Sequence, residues 1–182
     1  MDLDALKDYT NHKNNYMLHS GITVCSVKPD QVVAQAVVGP NSLNTGGGLH
    51  GGVYFTLADA ASGVLCRADG RKYVTECADI RFLKGVNKGT VTAVATLLRR
   101  GRRSCVVQVN ITDEGGTLLA LFTANFACVG DNYLKESKQP VDPLERRAAF
   151  CQRTGGLISP QAHTPKCLRA GSPGPCRWPP GW

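Results

Sequence analysis

The chain has 182 residues, 42% hydrophobic and 19% charged, which is long enough to bury a core without staples and too apolar for wholesale disorder. Its net charge of +7 is uneven: residues 137–182 hold seven Lys or Arg against two Asp or Glu, with eight of the ten prolines, leaving +2 for residues 1–136. A nearly neutral body argues against the basic stripe of a nucleic-acid-binding domain, and the longest apolar run, Val91 to Leu98, is far too short to cross a membrane.

A first helix is predicted over residues 2–13, with Leu3, Leu6 and Tyr9 on one side. Two short strands follow, Ile22–Val27 and Gln31–Val38, turned by Pro29-Asp30; Val32, Ala34, Ala36 and Val38 share one face of the second. A polar, glycine-rich loop from Asn41 to Gly48 feeds a helix from His50 to about Arg67, where Val53, Leu57, Ala60, Val64 and Leu65 recur at helical spacing and Asp69-Gly70 makes the stop. Four longer strands come next: Tyr73–Leu83, Gly89–Leu98, Ser104–Thr112 and Thr117–Val129. Arg100-Gly101-Arg102 and Asp113-Glu114-Gly115-Gly116 supply hairpin turns between the last three. One long helix with one meandering antiparallel sheet makes an α+β domain over residues 1–136, in which the sheet buries its helix by curling around it. After Lys135 the periodicity ends; residues 137–182 read as a Pro/Arg/Cys-rich disordered tail, with a brief helix over Leu144–Cys151.

Five of the eight cysteines (Cys25, Cys66, Cys77, Cys105, Cys128) fall in apolar or alternating segments, where a free thiol packs as a small hydrophobe. Cys151, Cys167 and Cys176 lie in the tail; no CxxC or HxxxH pair is present, so no metal site is expected. The acidic start, with Asp2, Asp4 and Asp8 and no apolar stretch, argues against a secretory signal and a mitochondrial presequence. Reduced thiols in the cytoplasm are the expectation.

Between Val53 and Cys66 the long helix carries one charge, Asp59. Its helical neighbours Phe55, Thr56, Ser62 and Gly63 include no cation to pair with it. A helix this apolar should be largely buried. A buried carboxylate without a partner costs several kcal/mol or neutralises with a raised pKa, which marks it as a functional-site candidate; the alternative is an aspartate facing solvent on the polar edge of an ordinary amphipathic helix. Gly51 and Gly52 stand where the first unpaired backbone N–H groups of that helix appear. Such donors, with the positive helix end, suit an oxyanion or a polarised carbonyl, although glycines also simply form turns. His50 fits a capping or packing role as well as a catalytic one.

Together these residues resemble a known family. Asn44 lies six residues before His50-Gly51-Gly52, and Asp59, within Leu57-Ala58-Asp59, lies nine after His50. With the segment Thr75 to Gly85 and the strands to Val129, the pattern is similar to the hotdog-fold acyl-CoA thioesterases of the phenylacetate-degradation (PaaI-like) type, over about residues 15–130. The resemblance implies a central helix wrapped by a curved antiparallel sheet, and homodimers or dimers of dimers with an acyl-CoA site across the subunit interface. It implies Asp59 as general base or nucleophile, the Gly51 amide polarising the thioester carbonyl, Asn44 and His50 holding that end, and Thr75 positioning water. Lys84, Arg99, Arg100, Arg102 and Arg103 would contact coenzyme A phosphates; a solvated charged turn is the plainer reading of that hairpin. No cofactor and no metal are implied. A hydroxyacyl-thioester dehydratase on the same fold would be expected to show a proline-containing loop after its histidine, where Gly51-Gly52 stand. A non-catalytic acyl-CoA sensing module would be expected to lack the acid at position 59.

Overall fold

The computed structural model describes residues 1–131 and 133–136; the proposed tail, its Leu144–Cys151 helix and its three cysteines lie outside them. Helix α1 (Leu3–Lys13) is capped by Asp2, whose side chain accepts from the Ala5 N–H, and a short α2 (Asn15–His19), which the sequence reading did not anticipate, is capped by Asn14. Strands β1 (Ile22–Val27) and β2 (Gln31–Val37) form the first hairpin. After a 3-10 turn at Pro40–Ser42 comes α3 (Gly51–Arg67), then β3 (Lys72–Phe82), β4 (Thr90–Arg100), β5 (Ser104–Thr112), β6 (Leu118–Gly130) and α4 (Tyr133–Glu136).

The six strands form one antiparallel sheet in the order β1-β2-β4-β5-β6-β3. The expected run of four consecutive strands is therefore corrected at one point: β3 does not neighbour β4 but pairs with β6 at the far edge. Leu83 to Gly89 carry no tight hairpin signal, and this stretch lets the chain cross from one side of the sheet to the other. Helix α3 lies in the concave face, against β2, β3, β4 and β5. Leu57, Ala58, Ala61, Val64 and Leu65 pack with Ala93, Ala95, Val107, Val109, Phe122 and Phe126, all 2% exposed or less. Alanines on both helix and sheet let the backbones approach closely, while the two phenylalanines fill the remaining volume.

Two β-bulges decide which side chains face the helix. In β3, Glu76 is inserted between the paired residues Thr75 and Cys77. Tyr73 and Thr75 face inward before it; Ala78 and Ile80 do so after it. In a regular strand the seven-residue step from Thr75 to Phe82 would place them on opposite faces; the bulge puts both on the same one. In β4, Leu98 is inserted between Leu97 and Arg99, which turns Arg100 toward α3 and leaves Arg99 exposed.

Candidate active site

The start of α3 is built by side chains that bond to backbone. Asn44 Oδ1 accepts from the N–H groups of Gly46 (2.9 Å) and Gly48 (3.2 Å), which folds the glycine loop around it. Gly47 takes φ +78 there, a conformation glycine adopts at little cost. His50 is the N-cap: its Nδ1 accepts from the Gly52 N–H at 2.9 Å. The proton of its neutral ring then sits on Nε2. Gly51 is the first helical residue, so its N–H has no acceptor within the helix. A Cβ on Gly51 would lie 3.2 Å from the Phe82 ring, so the bare backbone is pressed against that side chain. Asn44, Gly51, Phe82 and Lys84 line a common cleft of about 390 Å³.

Asp59 stands two turns further along α3. It is half-buried and has a partner, unlike the isolated buried carboxylate expected from the helix alone. Thr75 Oγ1 donates to Asp59 Oδ1 at 2.8 Å. The partner comes from β3, and the Glu76 bulge is part of what aims it. Asp59 and Thr75 line a second cavity of about 330 Å³ with Lys13, Gly63, Arg67 and Tyr133.

The structure thus brings Asp59 to Thr75, and Asn44, Gly51 and Lys84 to one another, in two separate clefts of one chain. His50 borders a third, with Gly52 and Thr56. Asp59 lies eight residues beyond Gly51, about 12 Å along the helix axis.

The basic hairpin divides in two. Arg99, Arg102 and Arg103 are exposed. Arg100 is not free in the same way: its side chain is 20% exposed, donates to the carbonyls of Cys66 (2.7 Å) and Leu65 (3.0 Å), and pairs with Asp69 (2.7 Å). It caps the C-terminus of α3, where a cation also meets the negative end of the helix dipole. Asp69 is the hub of this network, accepting also from Arg71 and from the Tyr73 hydroxyl. Burial alone would raise its carboxyl; the hydrogen bonds from Arg71, Tyr73 and Arg100 outweigh that and hold it below the ordinary aspartate range. Sequence reasoning took Asp69-Gly70 only as a helix stop and missed this hub. Of the cysteines read as core, Cys66 and Cys105 are buried, but Cys25 and Cys77 are exposed. Burial pushes the Cys66 thiol up.

Among the described residues no helix is long and apolar enough to cross a membrane. The model of the thioesterase superfamily matches residues 46–120, which contain both clefts' α3 residues, Thr75 and Lys84. The chain is 29% identical over 118 residues to the acyl-coenzyme A thioesterase PaaI of Escherichia coli, covering 64% of this chain and 84% of that one. It is 32% identical over 108 residues to a putative esterase of Haemophilus influenzae, covering 58% and 78%. A hypothetical thioesterase of Streptococcus pneumoniae, solved with coenzyme A, superposes with a TM-score of 0.62 at 27% identity, over 67% of this chain and 98% of that one. With its α3 helix held in a six-stranded antiparallel sheet, the chain belongs to the thioesterase superfamily and has its hotdog fold.

Proposed function

We propose that the protein is an acyl-CoA thioester hydrolase, and that it works as a homodimer. The observation that carries this reading is the Asp59–Thr75 pair, an acid held by a hydroxyl at 2.8 Å on the edge strand of the sheet. Thr75 occupies one carboxylate oxygen, and the other is left to act as base. Water attacks the thioester carbonyl carbon and passes a proton to Asp59. The oxyanion takes a hydrogen bond from the Gly51 N–H. Collapse expels the coenzyme A thiolate, which takes the proton back from Asp59. Products are the free acid and coenzyme A.

The dimer reading is supported by where the two clefts lie on β3. Thr75, beside Asp59, is near one end of the strand; Phe82, against Gly51, is at the other. The outer edge of β3 has no strand partner, and Val74 (51%) and Phe82 (56%) are exposed. An unpaired strand edge is a template for pairing with another chain. Antiparallel pairing of two β3 strands about a two-fold axis near Ala78 and Asp79 sets Thr75 of one subunit opposite Phe82 of the other. Asp59 of one chain then meets the Gly51–Lys84 cleft of its partner. Arg99, Arg102 and Arg103, with Lys84, are assigned to the coenzyme A phosphates, which arginine binds in charge-assisted and often bidentate fashion. We assign the reaction to a cytoplasmic setting, in keeping with free thiols at the cysteines of the described residues. We also propose that residues 137–182 form a segment separate from the catalytic domain.

Thiol release from a panel of acyl-CoA thioesters tests the activity. At least one thioester should be turned over by the parent, and Asp59→Asn should lower kcat by the roughly 10²–10⁴-fold typical of a lost general base. A folded Asp59→Asn protein with unchanged kcat would overturn the assignment.

A further inference from the structure

The cavity beside Asp59 holds a cation with little to do. Arg67, in the last turn of α3, folds back along its helix. Its guanidinium lies over Gly63: the Nη1 atom sits 2.7 Å from where a Cβ on that residue would be. A glycine inside a helix costs about 1 kcal/mol relative to alanine, and here its bare surface is the space the guanidinium occupies. Among the described residues the Arg67 side chain forms one hydrogen bond, from Nη2 to the Tyr73 carbonyl at 3.2 Å. Its Nε is sealed from solvent without a partner among the described residues, and its Cζ stacks 4.9 Å from the Tyr133 ring centroid. Among the described residues no carboxylate pairs with it. Lys13 adds a second positive charge at the cavity mouth.

A half-buried guanidinium whose Nε is sealed from water is stabilised by an anion with planar, bidentate acceptors. Asp59 does not serve, since no ion pair joins it to Arg67 among the described residues. The cavity of about 330 Å³ has room for a short acyl group but not for coenzyme A. From Asp59 to Gly63 is one helical turn, about 6 Å, a span that a short acyl chain covers between its thioester carbonyl and its far end. We infer that this cavity is the acyl subsite and that it selects acyl groups ending in a second carboxylate, held by Arg67 with Lys13 at the mouth. The inference rests on the thioesterase reading and names its substrate class: coenzyme A monothioesters of short dicarboxylic acids.

The experiment compares adipoyl-CoA, hexanoyl-CoA and ω-hydroxyhexanoyl-CoA as substrates of the full chain. The parent should show kcat/KM at least tenfold higher for adipoyl-CoA than for either neutral thioester. In Arg67→Met that ratio should fall toward one, and in Arg67→Lys it should be partly kept. Gly63→Ala, which displaces the guanidinium while keeping it in the chain, should lower the ratio as well. Should Arg67→Met fail to fold, Lys13→Ala, on an exposed side chain, should lower the ratio by a smaller factor. Turnover of hexanoyl-CoA at or above that of adipoyl-CoA by the parent would overturn the carboxylate specificity and leave the thioesterase reading standing. An unchanged ratio in the folded Arg67 variants would do the same for the assignment of Arg67. No turnover of any thioester by the folded parent would overturn both.

Discussion

Replacing Arg100 by methionine separates a structural arginine from its exposed neighbours. Methionine keeps most of the apolar stem and removes every donor. The Arg100 side chain is 20% exposed, as is the Asp69 side chain it pairs with. Its loss leaves the Cys66 and Leu65 carbonyls at the end of α3 without those partners. An abandoned buried acceptor costs about 1–3 kcal/mol. Breaking a buried ion pair outright costs about 3–5 kcal/mol, but Asp69 keeps Arg71 and Tyr73 and stays compensated, so that full penalty does not apply. The Leu65 carbonyl keeps the Ala68 N–H, so one stranded carbonyl, that of Cys66, plus a reduced pair contribution gives about 2 kcal/mol. For a domain of this size, that lowers Tm by roughly 5–8 °C. Arg99→Met, on the exposed side of the Leu98 bulge, should stay within about 0.5 kcal/mol of the parent. Urea and thermal unfolding of both variants provide the measurement. Equal stability of Arg100→Met and Arg99→Met would refute the bulge argument and return Arg100 to the solvent-facing set.

The same network sets a pH dependence. The Asp69 carboxyl is held below its unfolded value of about 3.9, so its stabilisation is complete above that value and is lost as pH falls through the folded one; the stability gap between the parent and Asp69→Asn should be constant from about pH 5 to 7 and close toward about pH 2, and a gap that widens on acidification would contradict the sign. Arg99→Ala with Arg102→Ala should raise KM for an acyl-CoA severalfold and barely change KM for an acyl-pantetheine thioester lacking the nucleotide; equal effects on both would remove the phosphate role. Thr75→Val conserves volume and deletes the hydroxyl bonded to Asp59, so kcat should fall roughly 10- to 150-fold, the worth of a hydrogen bond to a charged group, with the unfolding midpoint nearly unchanged.

The parts of the fold legible in sequence are those fixed by local rules. β5 matches its predicted bounds, and the turns at Gly101 and Gly116 close the predicted hairpins. The long helix starts one residue after His50 because the histidine is its cap. Asp59 stood out because a lone charge in an apolar helix needs a reason. The placement of β3 was not legible, since its partner is chosen by long-range pairing: Tyr73 lies opposite Cys128, with β4 and β5 between them in the chain. Bulges were equally invisible, because a single inserted residue leaves the alternation almost intact locally while reversing every face beyond it. That is why Arg100 was grouped with its exposed neighbours and why nothing in the sequence aimed Thr75 at Asp59. A signal for Arg67 did exist: Gly63 inside an otherwise good helix asks what needs the space.

A shared active site makes a prediction that no single-chain site can match. The Gly51 N–H can be deleted without disturbing the helix, because the first helical position tolerates proline and has no intrahelical bond to lose. His50 already has φ −65 and ψ 135, the extended conformation that a following proline requires. The added ring must displace the tip of the Phe82 side chain by a few tenths of an ångström at the Cβ, where the spacing is 3.2 Å. Gly51→Pro should therefore fold and lose roughly 10²–10³-fold in kcat, the cost of one oxyanion donor. Asp59→Asn should lose activity for an independent reason, the missing base. In a heterodimer of the two variants, one site pairs both defects, and the other pairs an intact Asp59 with an intact Gly51. Each mixed dimer has one of its two sites whole, so activity should return to about a quarter of the parent's in a randomly assorted equal mixture, half of which is mixed dimer, and to about half in the isolated heterodimer. Co-expression with two affinity tags, isolation of the doubly tagged dimer and thiol release provide the assay. If Asp59 and Gly51 act from the same chain, every site in the mixture carries a defect. Absence of recovery in a verified heterodimer would then place both groups in one subunit and remove the basis for the β3-to-β3 dimer.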